Sequence, residues 1–192
     1  MVALQLSQDP DADALLSVDP LALLVGMLLD QQTPMERAFA APYRLAERLG
    51  VERLDAAVLA EADPEAFAAM FARPPALHRF PGSMAGRVQA LAAHLGDHWR
   101  GDPTVLWSTA ESGAELLGRL RDLPGFGEQK ARIFLALLGK QLGIRPPGWR
   151  EAAGPYGEPG VTRSIADVTG PESLREVREH KRAMKAAAKA GG

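Results

Sequence analysis

The chain has no cysteine. That excludes disulfides, iron–sulfur clusters and cysteine-ligated zinc, and a reducing cytoplasm is the expected setting. Strand formers are scarce: Val, Ile and Thr together supply 18 of 192 residues. The longest apolar run, Leu21 to Leu29, is nine residues, whereas a bilayer span takes about 20, so no membrane partner is expected. Residues 1–16 carry acids but no Lys or Arg, the reverse of a signal peptide's opening. Lysine is also rare, with 5 against 17 Arg. The net charge of −2 and pI near 6.1 argue against strong indiscriminate affinity for nucleic acid.

Ala and Leu, by contrast, contribute 59 residues. Both are strong helix formers, so the composition predicts an all-α protein. With 46% apolar and 24% charged residues, the chain is globular rather than disordered. Helix starts are legible as capping residues followed by proline. Asp19-Pro20 opens a helix to about Gln31 that is apolar on every side and therefore buried. Thr33-Pro34-Met35-Glu36 has capping-box spacing and opens a helix towards Gly50, with a kink or break at Pro42. Asp63-Pro64 starts another, Ser83 to Trp99 reads as a long one, and Asp102-Pro103 and Ser112-Gly113-Ala114-Glu115 open two more. Residues 145–171 hold ten Gly or Pro among 27, which predicts an ordered loop with short helical turns. Residues 172–190 form an amphipathic helix with Leu174, Val177 and Met184 on its apolar stripe. Charge is uneven: residues 1–30 hold five Asp and no base, and residues 172–192 hold six Lys or Arg and three Glu. A local basic patch is compatible with the neutral average.

The informative segment runs from Leu116 to Ala131. A helix ends, Leu123-Pro124-Gly125-Phe126-Gly127 makes a tight turn, and a second helix begins. Glycines permit positive φ and an unobstructed backbone. Unpaired amides and the helix dipole then attract an anion. A nucleic-acid phosphate suits that geometry and needs no base readout. A plain helix-turn-helix corner has the same local pattern.

Together with Leu24-Val25-Gly26-Met27-Leu28-Leu29-Asp30-Gln31-Gln32-Thr33 about ninety residues upstream, this segment resembles the helix-hairpin-helix (HhH-GPD) DNA glycosylase superfamily. The resemblance covers residues 19–155, with the hairpin at 116–140, and is strongest to a small bacterial branch without the iron–sulfur cluster. Residues 1–18 are then an N-terminal segment, and 156–192 a loop and basic C-terminal helix packing on the N-terminal lobe. The resemblance implies a two-lobed, all-helical fold with double-stranded DNA in the cleft. It also implies a monovalent cation held by hairpin carbonyls, and a damaged or mispaired base flipped into a pocket for cleavage of its N-glycosidic bond. The expected protein is a nucleoid-associated monomer acting as a monofunctional DNA glycosylase in base-excision repair. The rival is a catalytically silent damaged-DNA-binding protein of the same fold.

On this resemblance Pro124, Gly125, Phe126, Gly127, Gln129, Lys130, Gln31, Gln32 and Thr33 contact DNA. Gln129 stands where bifunctional members carry a Schiff-base lysine, so no strand cleavage is expected. Lys130, one residue on and about 100° round the helix, is a displaced nucleophile, a phosphate contact or a solvated lysine. The family's Asp is missing from the stretch 144–151. The candidate catalytic carboxylates are, in order, Glu151, Asp167 and Asp30, since carboxylates carry such chemistry. Helix-dipole compensation, turn capping and helix-end hydrogen bonding are their structural alternatives. Trp149 and Tyr156 are candidates to stack on a flipped base, or else core aromatics. His94 and His98 sit at i, i+4 with no third ligand in view, so no side-chain metal site is expected.

Overall fold

The computed structural model describes residues 3–190. Among them are eleven α-helices, two short 3₁₀ turns and no strand, so the protein is all-α. The helices are α1 Pro10–Val18, α2 Pro20–Leu29, α3 Met35–Leu49, α4 Ala56–Glu61, α5 Pro64–Ala72, α6 Pro81–Trp99, α7 Pro103–Ser108, α8 Gly113–Arg121, α9 Glu128–Gln141, α10 Trp149–Ala153 and α11 Pro171–Ala190. The 3₁₀ turns are Gly154–Tyr156 and Ile165–Asp167.

α2 is the axis of the core, buried from Leu21 through Leu29. Asp19 positions it. One carboxylate oxygen caps the helix through Leu21 N–H at 3.0 Å and Ala22 N–H at 3.1 Å, and the other accepts Leu54 N–H at 2.8 Å. α1 and α3 pack around α2, and α4 and α5 pack on α6. α8, α9 and α10 form a second set of mutual contacts, with Ile165–Asp167 against α9. α7 touches α2, α6 and α8 and so joins the two sets. One continuous apolar cluster runs through all of them. No single helix is long and apolar enough to cross a membrane.

Three local expectations are corrected. α3 begins at Met35 with Pro34 at the cap and no side-chain cap bond. Glu36 turns away from Thr33 to pair with Arg178, so the Thr33 capping box does not form. Pro42 neither breaks nor ends α3, because burial on α1 and α2 outweighs one lost hydrogen bond. α2 stops at Leu29, two residues before Gln31, because Asp30 leaves helical geometry and its N–H closes the last turn onto Gly26 and Met27. The segment 145–171 is ordered by α10 and both 3₁₀ turns. The aromatic ring of Trp149 lies where a Cβ on Gly139 would stand, at 2.4 Å, and its backbone lies as close to Gly113. These two glycines let α10 dock between α8 and α9.

Candidate functional site

At the C-terminal end of α2, side chains from α9, α6 and the loop that holds His78 converge. The Leu28 carbonyl accepts Lys130 Nζ at 2.8 Å and Gln31 Nε2 at 3.2 Å. A cation there complements the negative end of the α2 dipole. Lys130 is largely buried; that burial, with a lesser effect of Arg87 and against the pull of Asp30, lowers its pKa to about 8. Gln31 Oε1 accepts a hydrogen bond from Arg87 at 3.2 Å. His78 fixes the turn from the opposite side: Nε2 meets the Gln31 carbonyl at 3.0 Å and Nδ1 accepts Phe80 N–H at 3.0 Å. That pairing requires the neutral Nε2–H tautomer, and burial moves the ring pKa down accordingly. Gln32 is exposed in the left-handed region, at φ +53°.

Asp30 caps α2, and its side chain is only 11% exposed. Among the described residues no N–H or O–H donates to its carboxylate. Its nearest cation is Lys181 of α11, at 4.0 Å. Burial holds the carboxyl above the usual Asp range, opposed by Lys181 and then Lys130. A poorly solvated carboxylate without hydrogen-bond donors is an unusually strong base for its type. The same α11 surface is tied down nearby, where Arg178 pairs with Glu36 and Lys181 meets the Met35 sulfur at 3.1 Å.

The turn between α8 and α9 lies beside this cluster. Gly125 has φ +82°, and a Cβ there would sit 2.4 Å from Leu28 Cδ1. The glycine therefore seats the turn on α2. Gly127 is different: it caps α9 without a side-chain bond, and nothing lies within 4 Å of its missing Cβ. Residues 127–129 are exposed, and the amides that open α9 have no partner within the helix. Glu128 beside them is held by Arg121 at 2.9 Å and Arg132 at 2.6 Å. Beyond Lys181 opens a cavity of about 370 Å³ lined by Gln129, Ile133, Pro155, Tyr156, Arg163, His180, Lys181 and Met184. Gln129 Nε2 donates to the Tyr156 hydroxyl at 2.9 Å across its wall. A larger cavity, about 460 Å³, lies between residues 3–17 and Pro171. Its one acid, Asp13, is used by the Ser7 amide and hydroxyl.

Of the residues singled out from sequence, Asp30, Gln31, Gln129, Lys130 and Tyr156 come together here, with Gln32 and Thr33 on the adjoining turn. Phe126 does not face outward. It is 4% exposed and packs edge-on against Phe134, so its ring is out of a duplex's reach. Trp149 is likewise core, 6% exposed against Gly139, which removes it from any base pocket. Asp167 is fully engaged: Lys140 pairs with it at 2.5 Å, and the Arg163 and Ser164 amides donate to its other oxygen. Glu151 sits on the exposed face of α10. His78, Arg87, Arg163 and Lys181 belong to the cluster but stand in no sequence motif. The one available hint was that α11 carries most of the chain's few lysines. Among the described residues no group of His, Asp and Glu is arranged to hold a metal ion. Comparison with known proteins finds no match among family models, curated proteins or solved structures.

Proposed function

We propose that the protein is a base-excision DNA repair enzyme, a monofunctional glycosylase that hydrolyses the N-glycosidic bond of a damaged or mispaired base within a two-lobed HhH-GPD-like fold. The observation that carries the reading is Asp30, a largely buried carboxylate with no donor among the described residues, 4.0 Å from Lys181, which lines a cavity of about 370 Å³. The first α9 amides suit backbone phosphate, while Lys130 is spent on the Leu28 carbonyl. A nucleotide extruded from the duplex enters the cavity. Asp30 stabilises the positive sugar as the C1′–N bond breaks and the base leaves with the electron pair. It then accepts a proton from the water that adds to C1′.

Duplexes bearing single lesions, incubated with protein and then cleaved at abasic sites with alkali, test this directly. Asp30→Asn should reduce excision by roughly 10²–10⁴-fold while leaving duplex affinity intact. Unchanged excision would remove Asp30 from the chemistry. Lys130 donates to Leu28, and Gln129 has no amine, so borohydride should trap no covalent protein–DNA adduct on a processed substrate. Trapping that vanishes in Lys130→Ala would overturn the monofunctional reading. The alternative, a catalytically silent damaged-DNA-binding protein, is favoured by Lys181 standing over Asp30. Lesion-selective binding with no excision across the panel would support it.

A further inference from the structure

We infer that the distal half of α11 is a second contact surface for duplex DNA, on which Arg182, Lys185 and Lys189 take backbone phosphates flanking the candidate site. This inference rests on the reading of the protein as one that acts on DNA. From Arg178 to Lys189 the helix carries five cations, Arg178, Lys181, Arg182, Lys185 and Lys189, against one acid, Glu179. At about 100° per residue the five cations fall within one arc about 100° wide. The three acids of α11, Glu172, Glu176 and Glu179, all lie outside that arc. The arc begins at the candidate site, where Arg178 pairs with Glu36 and Lys181 stands 4.0 Å from Asp30. It then runs on beyond the packed part of the helix: Val177 is the last buried residue, and residues 181–190 are all exposed. The ion pairs of α11 are those two and Arg175 with Glu172. Arg182, Lys185 and Lys189 stand in none among the described residues.

Folding does not account for this arrangement. Arg178 with Arg182, Lys181 with Lys185, and Lys185 with Lys189 are like charges at i, i+4, which oppose helix formation. Dipole compensation covers Lys189 in the last turn, but Arg182 lies about two turns before the end. A polyanion laid along the arc relieves the repulsion. Arg182 to Lys189 spans about 10 Å of helix axis, over which one strand of a duplex presents about three phosphates. Contacts of this kind read no bases, as a protein that inspects DNA of any sequence requires. A lipid surface fits less well. Besides its charges the distal half has five alanines and one large apolar side chain, Met184, not the apolar face of a helix lying in a membrane interface.

The test is fluorescence-anisotropy binding of the full-length protein to a lesion-bearing duplex between roughly 0.05 and 0.2 M salt. Each phosphate contact contributes about 0.9 to the slope of log K against log salt. The triple variant Arg182→Gln/Lys185→Gln/Lys189→Gln should therefore show a slope shallower by about 2–3. Gln has nearly the helix propensity of Lys and Arg and all three positions are exposed, so the variant is expected to fold, which circular dichroism checks. The control Arg53→Gln/Arg73→Gln/Arg100→Gln removes the same charge from exposed positions elsewhere and should keep the slope. An unchanged slope in the α11 variant, or an equal loss in the control, overturns the inference and leaves the glycosylase reading intact. The expected slope change without excision of any lesion sustains the α11 surface and overturns the glycosylase reading instead. No duplex binding by the unmodified protein overturns both. Phosphatidylglycerol vesicles are the second probe: if the triple variant loses vesicle binding but not duplex binding, the surface belongs to lipid and the inference falls.

Discussion

His78 ties two segments together with one ring. Its Nε2–H reaches the Gln31 carbonyl, and its Nδ1 lone pair takes the Phe80 amide. Burial disfavours the charged ring, so the folded state resists the proton and the ring pKa lies below its usual 6.5; protonation would also set an N–H against the Phe80 amide. The unfolded chain therefore binds the proton first. Stability contributed by neutral His78 is complete above the unfolded value of about 6.5 and is lost as pH falls through the lower folded value. Urea midpoints measured in steps from pH 8 to pH 5 should fall, with the steepest part below about 6.5. His78→Gln carries a donor and an acceptor on one terminal amide and cannot hold both bonds at the separation of the two ring nitrogens. It should cost about 1–3 kcal/mol and flatten that pH dependence. An unchanged slope in the variant would assign the acid sensitivity to other groups.

The Pro124–Gly127 turn divides its tasks between two glycines that look alike in the sequence. Gly125 combines positive φ with contact against Leu28, whereas Gly127 has φ −79° and open space beside it. Gly125→Ala should thus destabilise the fold by about 1–3 kcal/mol, from backbone strain and overpacking. Gly127→Ala should leave stability within about 1 kcal/mol and instead weaken duplex binding where a methyl group intrudes on the α9 amides. Thermal melts paired with fluorescence-anisotropy binding separate the two. If Gly127→Ala binds duplex DNA as the unmodified protein does, those amides are not the phosphate anchor. The glycines at 113 and 139 serve a different end, giving Trp149 its seat.

Across the whole molecule, α11 closes the distance between the chain's end and its N-terminal half. Leu174 and Val177 are its buried residues, and from Arg178 onward it is held by the Glu36 pair, Lys181 near Asp30 and the Met35 contact. Exposed ion pairs weaken as salt shortens the Debye length to about 3 Å at 1 M, while apolar packing does not. Hydrogen exchange at 0.05 M and 1 M salt should show residues 178–190 losing protection with salt and residues 171–177 unaffected. Equal protection at both salt concentrations would mean that apolar contact, not charge, holds the distal half. This clasp sits against Asp30, so the acid–base site draws on both ends of the chain.

The sequence by itself determined the all-helical class, the buried character of Leu21–Leu29, most helix starts and the tight turn at Pro124–Gly127. These rest on local physics: propensity, Asp-Pro and Ser caps, and glycine's freedom at positive φ. It left α1 and α4 unread, since both are short and their burial comes from neighbours. Tertiary structure alone decided which acid is poised for chemistry. Asp30, Asp167 and Glu151 are equivalent as letters, but folding gives Asp167 a lysine and two amides, leaves Glu151 in water, and places Asp30 in a nearly closed site without donors. The environment of a carboxylate is set by groups up to 151 positions away, as Lys181 is from Asp30. No pattern within one helix encodes that. The same holds for Phe126 and Trp149, whose rings are directed inward by glycines and helices that only the fold brings beside them.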